Sequence, residues 1–284
     1  MSEVERMKLT NKIINDFKVY LTDNDKSVYT VEKYIRDVIK FKDFACSDEI
    51  TKETAGEYKI YLVRNGYSVR SINSMLSSVN ALFEFLNRNE LKVKTIKMQR
   101  SVFCPEDREL TRAEYQRLCT AAKMKKNNRL ELIIETVCAT GIRIGELKYI
   151  TVESAKRGEA VVTLKGKTRY VFIPKELKRK LLRYATEQTI KSGMIFVTRT
   201  GKAVNRTNIW RNMKNLCKDA GVKPEKVFPH NLRHLFARTF YNIDKDIAKL
   251  ADILGHSSID TTRIYIISTG AEHRRLIEKM KLIL

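Results

Sequence analysis

Pro229-His230-Asn231-Leu232-Arg233-His234 is the stretch on which the reading of this 284-residue chain turns. It holds half of the chain's four histidines. A helix starting at Pro229 projects His230, Arg233 and His234, spaced i, i+3 and i+4, from one side. Blander readings stay open for the cluster alone. His234 suits a satisfied core position, and two histidines at this spacing could hold a metal ion, although Arg233 beside them would repel a cation. Downstream, residues 244–254 read as a helix capped by Asp244, with Ile247, Leu250, Ala251 and Leu254 as its apolar stripe and Gly255 as its terminator. His256 follows at that rigid end. Asp260-Thr261-Thr262-Arg263-Ile264-Tyr265 then starts another short helix, whose Tyr265, among isoleucines, would alone be read as core. Upstream, Ala139-Thr140-Gly141-Ile142-Arg143-Ile144-Gly145-Glu146-Leu147 places Arg143 in an apolar helix start after a glycine turn. Such an arginine either pairs with Glu146, three residues on, or presents its guanidinium to a cleft.

Charge narrows the partners. The 55 Lys and Arg against 33 Asp and Glu give a formal net charge of +22, which favours polyanions, nucleic acid before an anionic membrane surface. Residues 1–95 hold 16 basic and 14 acidic side chains, and residues 96–284 hold 39 and 19, so the affinity resides mainly in the second part. No run approaches the roughly 18 apolar residues of a membrane span, and the start, MSEVERMKLT, lacks a signal-peptide core. The expected location is the cytoplasm. The five cysteines are scattered singly without metal-ligand spacing, so no metal, cofactor or disulfide framework is expected.

The first part reads as short amphipathic helices: one carrying Ile13, Ile14, Phe17, Tyr20 and Leu21, one carrying Val31, Tyr34, Ile35, Val38 and Phe41, a third over 51–65 and a fourth over 71–86. The fourth has a polar face of Asn73, Ser74, Ser77, Ser78 and Asn80, which is either a solvated surface or, with Arg70 before it, a surface lying against phosphates. The pattern lapses over 96–109, the expected linker, and resumes at Thr111-Arg112-Ala113-Glu114, a capping box. A helix pair spans 130–150. Strands at 161–164 and 170–173 flank a basic turn, Lys165-Gly166-Lys167-Thr168-Arg169. The expected fold is therefore mainly α with one small antiparallel sheet in the C-terminal domain, divided as 1–95, a linker 96–109, and 110–284.

Taken in order, Arg143, Lys165 on a hairpin, His230-x-x-Arg233, Leu254-Gly255-His256 and Tyr265 resemble the signature of the tyrosine recombinase, or phage integrase, family. The resemblance covers the chain from about Leu110 onward, and the helical first part is similar to the family's core-binding domain. It implies a site-specific DNA recombinase that forms a covalent 3′-phosphotyrosyl intermediate through Tyr265. Arg143 and Arg233 would clamp the scissile phosphate, His256 would bond the same oxygens, His230 would be the base, and Lys165 would protonate the leaving oxygen. Lys167 is the alternative acid, because the hairpin is one residue shorter than the family's usual pattern. Glu146 would orient Arg143. Double-stranded DNA contacts are expected at Arg70, Asn73, Ser74, Ser77, Lys167 and Arg169. The amphipathic segment 271–284 would dock on a neighbouring protomer in a homotetramer. The competing readings are a type IB topoisomerase-like strand swivelase and a DNA-binding protein of the same fold without activity.

Overall fold

The structure, a computed structural model, describes residues 8–46, 49–97, 109–164, 167–266 and 278–280. It divides into two compact units, residues 1–100 and 101–284.

The first unit holds helices α1 (Asn11–Asp23), α2 (Val28–Phe44), α3 (Lys52–Arg64) and α4 (Val69–Phe85). Each starts where a hydroxyl is placed to accept from an otherwise orphaned amide: Thr10, Ser27, Thr51 and Ser68 all cap in this way. Their apolar faces meet at Phe17, Val38, Phe41, Tyr58, Leu76 and Phe83. The Phe41 ring packs edge-on against Tyr58 and Phe83, with centroids 5.0 and 5.8 Å away.

Much of the polar face of α4 is engaged within its own unit. Asn73 donates from Nδ2 to the Ile96 carbonyl at 2.9 Å and accepts from the Ile96 N–H at 2.8 Å. Asn80 makes the same two-way pairing with Val93, both bonds at 2.9 Å. Ser78 is buried and donates to Asp37, which also pairs with Lys33. Lys33 in turn donates to the Ser74 carbonyl at 2.7 Å, and Ser77 Oγ bonds the Asn73 carbonyl at 2.8 Å. Of the expected DNA contacts Asn73, Ser74 and Ser77, Asn73 already pairs in both directions with the following backbone. Sequence periodicity could not register this, because the partner is a main chain some twenty residues on. Arg70 stays exposed, with Lys33, Arg36, Lys40 and Tyr67, around a concavity of about 460 Å³.

The second unit holds α5 (Arg112–Met124), α6 (Asn128–Thr140), α7 (Val152–Arg157), β1 (Glu159–Leu164), β2 (Lys167–Phe172), α8 (Lys175–Glu187), α9 (Arg206–Lys214), α10 (Cys217–Ala220), α11 (Pro229–Ile243), α12 (Ile247–Leu254) and α13 (Ile259–Arg263). The Thr111–Glu114 capping box forms at the head of α5. Leu118, Ile133, Val137, Ile142, Leu181 and Phe196 lie in the core. The second half of the expected helix pair is a 3₁₀ turn, Ile144–Tyr149.

Two local expectations are corrected. The hairpin pairs Leu164 with Lys167, so β2 begins at Lys167 and only residues 165 and 166 lie between the strands. Arg169 therefore shares the inward face of β2 with Val171 instead of standing in a turn. Its charge concealed this, because its neutralising partner is remote in sequence. Asp244 does not cap α12. Asp246 does, accepting from Ala248 N and Lys249 N at 2.8 and 3.0 Å, while Asp244 ends α11 and pairs with Lys249.

Replacing Asn80 by Ala leaves the Val93 N–H and carbonyl without their partner. It should cost about 1–3 kcal/mol in urea denaturation, against under about 0.5 kcal/mol for exposed Ser77→Ala. Equal effects would contradict the clamp.

Candidate active site

The site is organised by the end of one short helix. After Leu254, Gly255 turns left-handed at φ +64°, and the Gly255 and His256 amides bond back to Asp252 and Ala251. The carbonyls of residues 253–255 then point outward, and each receives a different guanidinium. Arg169 Nη1 donates to Ile253 at 3.0 Å, Arg233 Nη2 to Leu254 at 2.6 Å, and Arg143 Nη2 to Gly255 at 3.4 Å. The three cations arrive from β2, α11 and the turn after α6, and the negative end of the α12 dipole favours them. A side chain at position 255 would put its Cβ 2.2 Å from Arg169 Cδ, so glycine is required by space as well as by φ. Gly141, at φ +63°, closes α6, and its carbonyl accepts from Arg233 Nη1.

Charge is deliberately unbalanced here. Glu146 is buried; its Oε1 pairs with Arg143 Nη1 at 3.0 Å, and its Oε2 takes the Arg143 N–H at 3.0 Å and Arg169 Nη2 at 2.5 Å. Burial alone would raise its pKa, but the charge of Arg169 and the bonds from Arg143 outweigh it and hold the carboxyl below its usual range. One carboxylate thus serves two arginines. Arg233 is 1% exposed, and among the described residues its guanidinium meets two carbonyls, an imidazole and the Tyr265 phenol, with Nε left unbonded. Burial first, and Arg143 next, push it down to about 10. A buried cation without an acid is costly unless an anion arrives.

The imidazoles complete the wall. His256 Nε2 lies 3.0 Å from Arg233 Nη2, and Nδ1 lies 2.9 Å from buried Thr262 Oγ1. A guanidinium only donates, so Nε2 accepts and the proton sits on Nδ1. Desolvation, with Arg233 and Arg143 behind it, pushes His256 down to about 4. Partial desolvation lowers His230 as well, helped by the same two arginines, although its outer edge is open to solvent. Tyr265 is buried, with its ring centroid 5.1 Å from His230, 5.0 Å from His256 and 4.2 Å from His234. Arg233 Cζ lies 5.8 Å from the same centroid.

Arg143, Glu146, His230, Arg233, His256 and Tyr265, spread over more than a hundred residues, are therefore brought into one neighbourhood. Lys165 lies outside the described residues, as does most of segment 271–284, and of Lys167 only the backbone is described. Arg169, expected to touch DNA, is instead inward and bonded to Glu146 and Ile253; its side chain is 10% exposed, which corrects that expectation. Sequence reading also passed over the Thr262 bond to His256, although Thr262 stands in the quoted 260–265 stretch. It passed over Arg206 and Trp210 too. These line a cleft of about 620 Å³ with Arg143, His230 and Arg233, and only the position of α9, some twenty residues upstream of α11, brings them there.

His234, like His256, is pushed down to about 4, first by burial. An unfolded imidazole binds its proton near 6.5, and these two do so only near 4. Between those values the unfolded chain holds more protons, so stability is fully present above about pH 6.5 and drains as pH falls towards about 4. The melting midpoint should follow that course, and His234→Gln should flatten it. Superimposable pH profiles for the two proteins would contradict the assignment.

Comparisons with known proteins identify the family. Residues 108–272 match the Phage integrase family, and residues 14–90 match the Phage integrase, N-terminal SAM-like domain. Tyrosine recombinase XerA of Thermococcus kodakarensis is 29% identical over 286 residues, covering 98% of each chain. Tyrosine recombinase XerD of Vibrio cholerae is 29% identical over 67% of this chain and 68% of its own. A crystal structure of XerA recombinase superposes with TM-score 0.54 at 27% identity, covering 97% of this chain and 100% of that one. A lambda integrase(75-356) dimer bound to a COC' core site shares the fold, with TM-score 0.74 at 19% identity over 93% and 97% of the two chains. A SAM-like helical unit, an integrase unit and a tyrosine set beside a buried arginine make this chain a tyrosine recombinase of the phage integrase family.

Proposed function

We propose that the chain cuts and rejoins double-stranded DNA at specific sites, with Tyr265 as the nucleophile. The observation that carries this reading is Arg233, a buried guanidinium that meets no carboxylate among the described residues, beside the phenol. An incoming phosphodiester supplies the missing anion. Arg143 and Arg233 grip its non-bridging oxygens and neutralise the charge that builds there. Tyr265 Oη attacks phosphorus, the bond from phosphorus to the 5′ oxygen breaks, and a 3′-phosphotyrosyl link conserves the energy for rejoining. The phenolic proton passes to His230, whose pKa is lowered by burial first and by Arg233 and Arg143 next. Lys165, with Lys167 as the alternative, gives a proton to the departing oxygen. Reversal with a 5′-hydroxyl from a second duplex joins the strands.

His256 changes partner in this scheme. Its Nε2 now accepts from Arg233. A phosphate taking that guanidinium frees Nε2, and the new negative charge favours protonation there, so the ring can donate to the same phosphate. Glu146 keeps Arg143 in place throughout.

In this reading residues 110–284 cut DNA, residues 1–95 hold it through the basic rim around Arg70, and residues 96–109 connect them. Joining two sites requires several protomers. We assign a homotetramer on paired duplexes, with segment 271–284 reaching the neighbouring protomer.

Two experiments test this. A pool of nicked duplexes of randomised sequence, incubated with the protein and resolved under denaturing conditions, should yield a covalent protein–DNA complex. Tyr265→Phe should bind DNA as before and yield none, and a persisting complex would place the nucleophile elsewhere. DNA affinity should also fall linearly with log salt, with a slope near −0.9 per phosphate neutralised, and a flat response would exclude the DNA reading.

A further inference from the structure

We propose that His234 is a positioning residue for Tyr265, the imidazole platform that fixes the plane of the phenol ring. This rests on the reading of Tyr265 as the nucleophile.

Tyr265 has little backbone to hold it. It follows α13, a helix of five residues, and its N–H bonds the Thr262 carbonyl at 2.9 Å. Ring orientation therefore comes from side chains, and the three imidazoles around it play unequal parts. His230 and His256 meet the phenol at steep angles, 63° and 41°, each with its centroid about 5 Å away. His234 lies nearly parallel to it, at 20° and 4.2 Å, which is offset stacking over the ring face. One face of the phenol is thus fixed by His234, while Arg233 and His230 remain near it for chemistry.

The platform is itself rigid. His234 stands one helical turn beyond His230 on α11, and the two imidazoles meet edge-on at 4.9 Å and 75°. The helix is pinned on both sides of His234, by Arg233 bonding Gly141 and Leu254 and by fully buried Ala237. Burial first, with Arg233 nearby, holds the His234 pKa down at about 4, so the ring orients the phenol as a neutral imidazole. Attack on phosphorus needs a near-fixed approach of the nucleophile. A ring stacked on rigid α11 transfers that rigidity to the short segment bearing Tyr265.

A volume-filling residue at 234 predicts that any apolar side chain of similar size suffices, whereas a stacking platform requires a planar ring. The full chain and its His234→Phe, His234→Leu and His234→Ala variants separate the two. The first readout needs no DNA: nitration of Tyr265 by tetranitromethane, followed by peptide mass, with buried Tyr184 of the same unit as the folding control. Phe should protect Tyr265 within about threefold of the unsubstituted protein, and Leu and Ala should raise its nitration about tenfold or more at unchanged Tyr184 nitration. The second readout is the single-turnover rate of covalent capture at saturating nicked-duplex pool. Phe should retain it, and Leu and Ala should lose about tenfold or more at unchanged DNA affinity. Leu protecting as well as Phe, or Ala behaving as the unsubstituted protein, would overturn the platform. Absence of covalent capture in the unsubstituted protein would overturn the nucleophile reading instead, while the nitration order would still decide what His234 does to the ring.

Discussion

The second unit depends on one arrangement: three consecutive carbonyls at the end of α12, each satisfied by a different arginine. A helix terminus that stopped inside a protein without partners would cost several hydrogen bonds. Arg143, Arg169 and Arg233 remove that cost, and the terminus fixes where the three guanidiniums stand relative to one another. Glycine at 255 is what lets the carbonyls and Arg169 approach, since any Cβ would collide with the arginine stem. The helix end thus works as a jig, bringing groups from α6, β2 and α11 to one place before any ligand is present.

The same arrangement is electrostatically unfinished. Glu146 balances one of its two arginine partners in charge terms, and among the described residues Arg233 has only neutral acceptors. Burying an unbalanced cation costs on the order of several kcal/mol, partly recovered from carbonyl dipoles. A protein selected for stability alone would replace Arg233 by an apolar side chain. Retaining it makes sense if the site is complete only when a phosphate occupies it, so that stability given up in the free protein returns as affinity for the developing charge of the transition state. Burial lowers the titration of His230 and His256 first, and the same excess of positive charge adds to it.

Much of this was legible before any coordinates. The order Arg143, His230, Arg233, His256, Tyr265 could be read only through its resemblance to the tyrosine recombinase signature, since local spacing left each cluster alone open to a plainer reading. Helices and the hairpin could be read from caps and periodicity, Thr111 and Glu114 being the clearest case. Interactions that join segments distant in sequence stayed hidden. Arg169 looked like a turn residue because nothing near it in the chain reveals Glu146, 23 positions away. Asn73 looked like open surface because its partner is the Ile96 main chain, 23 positions on. His234 read as plain core, since proximity to Tyr265 depends on how α13 folds back over α11. Asp244 and Asp246 are both able caps, and only the observed end of α11 at Ile243 selects between them.

The central claim is that the buried, uncompensated guanidinium of Arg233 awaits a phosphate beside the Tyr265 phenol. Its most direct measurement is a crystal structure of the protein soaked with orthovanadate, which adopts the five-coordinate geometry of phosphoryl transfer. The account predicts vanadium within bonding reach of Tyr265 Oη, its oxygens hydrogen-bonded to Arg143, Arg233 and His256, and the His256 bond to Arg233 replaced. Vanadate bound elsewhere, with Arg233 still bonded to His256 and to the Leu254 and Gly141 carbonyls, would contradict it.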